Sequence, residues 1–191
     1  MPRNFLNILK PKVTINSNST LEAKFELARL LNERGQIGEA KAACREILVQ
    51  QPDHWGSLTL LAELAAREGN LEQAIQWYTR LVELQPNFAP AHYKLGNLLR
   101  NRNQMEAALA CYDQVLVLDP VHANAFCNRG VVLGSLHRPE EALASYDRAI
   151  ALNPGDALAL YNRGDALRKL KRSNEALASY NQAIEIGRAH V

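Results

Sequence analysis

The chain has 191 residues, 47% of them hydrophobic but only 6% aromatic, a composition suited to helices rich in Leu and Ala. Its 22 basic against 20 acidic residues leave a net charge of +2, too little for a nucleic-acid footprint, and no apolar run reaches the ~18 residues of a membrane span. The three cysteines, Cys44, Cys111 and Cys127, form no CxxC pair, which excludes a disulfide framework or thiolate metal site and predicts small buried fillers in a reducing, cytoplasmic setting.

Residues 1–20 hold Arg3, Lys10 and Lys12 and no acid, so the rest of the chain is nearly neutral. The apolar run within Met1–Val13 is too short and broken for a secretory signal; residues 1–20 are expected to form a partly flexible arm. Ser19 with Glu22 three places later has the form of a capping box and predicts where the first helix opens. Beyond it, Pro52, Pro86, Pro120 and Pro154 stand 34 residues apart. Proline cannot sit inside a helix, and a strict period of this size marks stacked repeats.

Five units follow: 21–54, 55–88, 89–122, 123–156 and 157–191. Each carries two apolar helical patterns joined by a short polar link: Arg34-Gly35-Gln36, Glu68-Gly69-Asn70, Asn101-Arg102-Asn103, His137-Arg138-Pro139 and Lys171-Arg172-Ser173. Links this short force antiparallel neighbours, so each unit is predicted to be a helical hairpin. The eighth residue of each unit is small (Ala28, Ala62, Gly96, Gly130, Gly164), and so is the twentieth (Ala40, Ala74, Ala108, Ala142, Ala176). Glycine inside a helix costs about 1 kcal/mol relative to alanine, and close crossing of the two helices is the offsetting gain. Tyr78, Tyr112, Tyr146 and Tyr180 share one large column, and Leu31, Leu99, Leu133 and Leu167 another; both are expected in the core.

These small, small, aromatic and proline columns, matched by Gly96, Ala108, Tyr112 and Pro120 and again by Gly130, Ala142, Tyr146 and Pro154, resemble the tetratricopeptide repeat (TPR) family over residues 21–188. Pentatricopeptide repeats, which bind RNA, run one residue longer and lack the pattern. The resemblance implies an all-α, right-handed superhelical solenoid of about five antiparallel helix-turn-helix units. The first unit is degenerate, with Cys44 in the aromatic column and Lys24 in an apolar one. Arg129 and Arg163 replace the leucine of Leu27, Leu61 and Leu95; their stems are expected to cover apolar surface while their heads reach solvent or an acid.

No phosphate-cradling loop, HExxH motif or nucleophile elbow occurs, and His54, His92, His122 and His137 stand apart from any acid at catalytic spacing. No catalytic residue, metal ligand or cofactor is predicted. The expected work is binding, by a face that the resemblance places on the inside of the groove. By helical spacing it holds Pro90, Tyr93, Lys94, Asn97 and Arg100, then Asn124, Cys127, Asn128, Val131 and Gly134, then Leu158, Tyr161, Asn162, Asp165 and Arg168. Of these, Tyr93, Asn97, Arg100, Asn124, Asn128, Tyr161, Asn162 and Arg168 are the candidate contacts to a partner protein or peptide. Asn128 and Asn162 share a column and resemble the asparagine ladder of O-GlcNAc transferases, which implies bonds to a peptide backbone. The carboxylate clamp of chaperone-binding TPR domains finds Tyr93, Asn97, Asn128, Leu158 and Asn162 in its columns, with its three basic places unfilled, so an acidic C-terminal tail is disfavoured.

The near-copies EALASYDRAI and EALASYNQAI look like bacterial repeats, which sets an alternative beside the scaffold: the substrate-recruiting N-terminal part of a larger enzyme such as a TPR-linked glycosyltransferase. At the far end, Arg188 stands where proline is due, and nothing is expected to cover Tyr180, Ala183 and Ile184. The face they leave open predicts weak end-to-end self-association. The tail Ile186–Val191 also reads as a translated sequencing adapter, which predicts that the natural chain continues past Glu185 in another sequence.

Overall fold

The computed structural model describes residues 17–189, with side chains from Thr20 to Arg188. Most of the predicted arm, residues 1–16, and the last two residues of the tail lie outside that range. Ten helices follow in order: α1 (Ser17–Glu33), α2 (Ile37–Gln50), α3 (Trp55–Arg67), α4 (Leu71–Leu84), α5 (Ala89–Asn101), α6 (Met105–Leu118), α7 (Ala123–Ser135), α8 (Pro139–Leu152), α9 (Ala157–Lys169) and α10 (Ser173–Ala189). No strand occurs among the described residues. The all-α fold of about five helix-turn-helix units is therefore as expected. α1 opens at Ser17, two residues ahead of the capping box read at Ser19.

The chain divides into two compact units at Ser57/Leu58. In the first, α1 packs on α2, with Ala28, Ala40, Cys44 and Ile47 fully buried. Phe25 meets the His54 ring edge-on at 5.0 Å. In the second, α5 packs on α6, α7 on α8 and α9 on α10, while α4–α5, α6–α7 and α8–α9 join successive hairpins. The small columns sit where the helices cross: Ala108 and Ala142 are fully buried, and Gly130 lies against the Tyr146 ring.

Both kinds of joint repeat. Within a hairpin, Gly35, Gly69, Asn103, His137 and Lys171 share one column, and all have positive φ, from 57° to 77°. The next N–H reaches back five residues in each case, as in Gln36 to Leu31 and Gln104 to Leu99, both at 2.9 Å. This is a Schellman turn, whose left-handed residue satisfies the carbonyls left over at a helix end. The last three turns accordingly run Arg102–Gln104, Leu136–Arg138 and Leu170–Arg172, one residue away from the predicted links. Between hairpins, Gln51, Gln85, Asp119 and Asn153 close a helix and a proline follows each. The following helix is then capped by a side chain in a shared column: His54 accepts from Ser57 N at 3.1 Å, His122 from Ala125 N at 3.2 Å and Asp156 from Ala159 N at 3.0 Å. α10, with arginine in the proline column, runs three residues longer than α4, α6 and α8.

Candidate functional site

In the second unit the first helices of successive hairpins approach one another, α5 to α7 and α7 to α9. Their common face carries the residues singled out from helical spacing. Four of them meet in one cluster. Asn128 Nδ2 donates to Asn97 Oδ1 at 3.0 Å and to the Tyr93 hydroxyl at 3.1 Å. Arg100 Nη1 donates to Asn128 Oδ1 at 3.0 Å, and the Tyr112 hydroxyl, from below, donates to Asn97 Oδ1 at 2.7 Å. All four are half-buried. The amide of Asn128 is thus engaged within the chain, and the acceptor oxygen of Asn97 takes two donors. What the cluster has left to offer is N–H and O–H donors.

The other four candidates stand apart from it. Asn124 is exposed at the start of α7. The Asn162 side chain hydrogen-bonds the Cys127 thiol, which burial pushes up to about 11. Tyr161 is exposed, its ring 5.5 Å from that of Tyr180. Arg168 reaches Asp165 at 3.4 Å, and Asp165 accepts from the Tyr180 hydroxyl at 2.8 Å.

The gaps between these helices come in two kinds. One between α3 and α5 is an open cleft of about 390 Å³ lined by Glu63, Ala66, Arg67, Tyr78, Lys94, Asn97 and Leu98. Two repeats on, a cleft of about 360 Å³ between α7 and α9 is lined by the matching columns Val131, Gly134, Ser135, Tyr146, Asn162, Asp165 and Ala166, and by Lys169 besides. The intervening gap, between α5 and α7, is bridged by the Asn97–Tyr112–Asn128–Arg100 cluster. The units also differ at their ninth residue. Asn97 and Asp165 accept a bond from the core tyrosine of their own hairpin, whereas Glu63 and Val131 have no such bond to Tyr78 or Tyr146.

Outside this face, Arg129 and Arg163 make the contacts expected of them and one more each. Arg129 Nε pairs with Asp113 at 2.6 Å and its Nη1 donates to Ser145 Oγ at 2.7 Å; Arg163 repeats this with Asp147 and Ser179, both at 2.6 Å. Each arginine therefore pins its helix to the preceding hairpin and to its own partner helix. The serines and aspartates were not singled out from sequence, although their own 34-residue recurrence was the available signal.

The histidines hold backbone or turns: besides the capping pair, His92 Nε2 lies 2.9 Å from Pro86 O and His137 occupies the left-handed turn position. Burial also pushes the Cys44 and Cys111 thiols up to about 11, far from the range of an activated nucleophile. No group of three or more His, Cys, Asp or Glu side chains that could hold a metal ion occurs among the described residues. None of the described helices is long and apolar enough to cross a membrane.

Paired helices of 13 to 17 residues, small-on-aromatic crossings and proline-marked joints define a helical repeat protein with an open side-chain-lined face. The chain belongs to the tetratricopeptide repeat family: one family model matches residues 25–87 and 127–190, a second residues 77–110, and a TPR repeat model residues 96–136. Among solved structures, it is similar to MamA (TM-score 0.83, 23% identity, 90% of this chain and 93% of that one). It is also similar to YrrB, a TPR protein with an unusual peptide-binding site (TM-score 0.82, 19% identity, 91% and 93%). A third likeness is MamA 41-end from Desulfovibrio magneticus RS-1 (TM-score 0.80, 19% identity, 88% and 96%). At these identities the likeness concerns the fold. No curated protein sequence matches the chain.

Proposed function

We propose that the chain is a non-catalytic scaffold that captures an extended segment of a partner protein along the face of α3, α5, α7 and α9. The observation that carries this reading is the pair of matching clefts two repeats apart on one face, with a cluster of hydrogen-bond donors between them. Each cleft is of a size for one side chain and mixes apolar walls (Ala66 and Leu98; Val131 and Ala166) with charged rims. The donors of Tyr93, Asn97 and Arg100 suit carbonyl oxygens of the segment's backbone, which fixes register while the clefts read side chains. In this account Asn128 acts by holding its neighbours rather than as a rung that meets the partner. Asn124, Tyr161, Asn162 and Arg168 supply contacts at and beyond the second cleft.

The test uses a peptide selected from a random library against the full chain. Gly134→Leu should lower its affinity about tenfold or more, because a Cβ there meets only Lys169 Nζ at 4.0 Å and the added side chain fills the cleft without touching the core. Asn128→Ala should lower it as well, by releasing Arg100 and Tyr93. Unchanged affinity in both variants, with unchanged helix content, removes this face from the account.

A further inference from the structure

The column of Tyr78, Tyr112, Tyr146 and Tyr180 divides by what each hydroxyl meets. Tyr112 donates to Asn97 at 2.7 Å and Tyr180 to Asp165 at 2.8 Å. Tyr180 is half-buried and Ala183 buried, which corrects the expectation that nothing covers them. Tyr78 and Tyr146 are only 3% and 4% exposed, yet among the described residues neither hydroxyl has a hydrogen-bond partner. A phenol this deeply buried ordinarily finds one. No described side-chain N or O is both sealed from solvent and unpartnered, so the two hydroxyls open onto a surface. That surface is the pair of clefts: Tyr78 lines the one between α3 and α5, and Tyr146 the one between α7 and α9.

Each cleft sets one carboxylate within electrostatic reach of its phenol. Burial first, and then the charge of Glu63, hold the Tyr78 hydroxyl above the ordinary phenol range. Burial, Cys127 and Asp165 do the same for Tyr146, so both hydroxyls stay protonated and donate at neutral pH. Asp165 spends Oδ1 on Tyr180 and Arg168, which leaves Oδ2 as an acceptor. The rims add a cation to each cleft, Lys94 to the first and Lys169 to the second. Asn97 Oδ1 already takes two donors, so its Nδ2 is what the first cleft receives.

These groups discriminate among side chains. A carboxylate would accept from the phenol but be repelled by Glu63 or Asp165. A cation would pair with that acid but meet Lys94 or Lys169. An apolar side chain would strip water from the hydroxyl and give it no partner in return. A primary amide meets both needs without charge, as an acceptor for the phenol and a donor to the acid. Its methylenes suit the walls of Ala66 and Leu98, or of Val131 and Ala166.

On the reading that a partner segment crosses this face, we propose that each cleft takes a glutamine or asparagine side chain of that segment. The carbonyl accepts from the Tyr78 or Tyr146 hydroxyl, and the NH2 group donates to Glu63 or Asp165.

Peptides selected from a random library against the full chain are the probe. Their sequences should carry Gln or Asn at two separated positions. Replacing either by the amide-free side chain of like size, Gln→Met or Asn→Leu, should lower affinity about five- to tenfold. Tyr78→Phe and Tyr146→Phe, which keep the ring and the helix content, should each lower it to a similar extent. The substituted peptide should then bind the Phe variant of its own cleft no worse than it binds the wild type. Glu63→Ala, at an exposed position, should shift the preference of the first cleft from glutamine towards glutamate. Peptides that lose affinity on Gly134→Leu, yet carry no Gln or Asn or bind both Phe variants as tightly as the wild type, overturn the amide assignment and leave the face standing. Peptides indifferent to Gly134→Leu and Asn128→Ala as well overturn both.

Discussion

Gly96 and Gly130 share a column but not a surrounding. A Cβ on Gly96 would stand 3.0 Å from Tyr112 Cε1 and 3.2 Å from Cys111 Cβ, tight enough to need only a small shift. On Gly130 it would lie 2.6–2.9 Å from three atoms of the Tyr146 ring, which is itself buried and has nowhere to go. Alanine regains about 1 kcal/mol of helix propensity, against about 1–3 kcal/mol for overpacking. Gly96→Ala should therefore fall within about 1 kcal/mol of the wild type in urea unfolding, and Gly130→Ala should lose about 1–2 kcal/mol. Equal effects would show that the ring contact does not set the choice of residue. That this column must be small was legible in the sequence, because the period repeats the requirement five times. Which members need glycine was not, since that depends on tenths of an ångström at a ring edge. The pairing of Arg129 with Asp113 and Ser145 was half legible. An acid was expected, but naming it requires knowing which helix of the preceding hairpin lies alongside.

At the level of elements, the turn inside each hairpin imposes a left-handed residue whatever the local sequence offers. Gly35 and Gly69 meet it at no steric cost, whereas His137 and Lys171 hold φ of 57° and 60° with a side chain attached. A side chain in this region costs about 1–2 kcal/mol, and glycine gives back about 0.5–1 kcal/mol through the entropy of the unfolded chain. His137→Gly and Lys171→Gly should each stabilise the chain by about 0.5–1 kcal/mol, and Asn103→Gly by less, because asparagine tolerates the left-handed region. Chemical denaturation midpoints check the order; a loss of stability in His137→Gly would contradict it. The same residues explain why three of five links were read one position off. Where glycine marks the turn the sequence locates it, and where histidine, lysine or asparagine has been forced into it no local signal remains. Joints between hairpins gave no such trouble, since proline announces them.

For the molecule as a whole, each hairpin of a repeat series draws its stability from the neighbours that cover it. Leu109 of α6 and Leu143 of α8 are buried, while Leu177, in the same column of α10, is 61% exposed. At concentrations where chains do not associate, amides of residues 174–186 should exchange faster than those of 140–152. Equal protection would mean that the exposure of Leu177 and Ile184 costs α10 nothing. The architecture of the repeats was legible because one period governs every column. The binding face was legible only as a list of positions, because two of its properties depend on neighbours 15 to 35 residues away: the bonds that engage Asn97 and Asn128, and the alternation of open and bridged gaps. The claim that most of this account rests on is that a partner lies across α3, α5, α7 and α9. Hydrogen exchange of the full chain with and without a library-selected peptide addresses it directly. Protection is expected in 93–101, 127–135 and 161–169, with α6 and α8 unchanged. Protection confined to α6, α8 and α10 would contradict it.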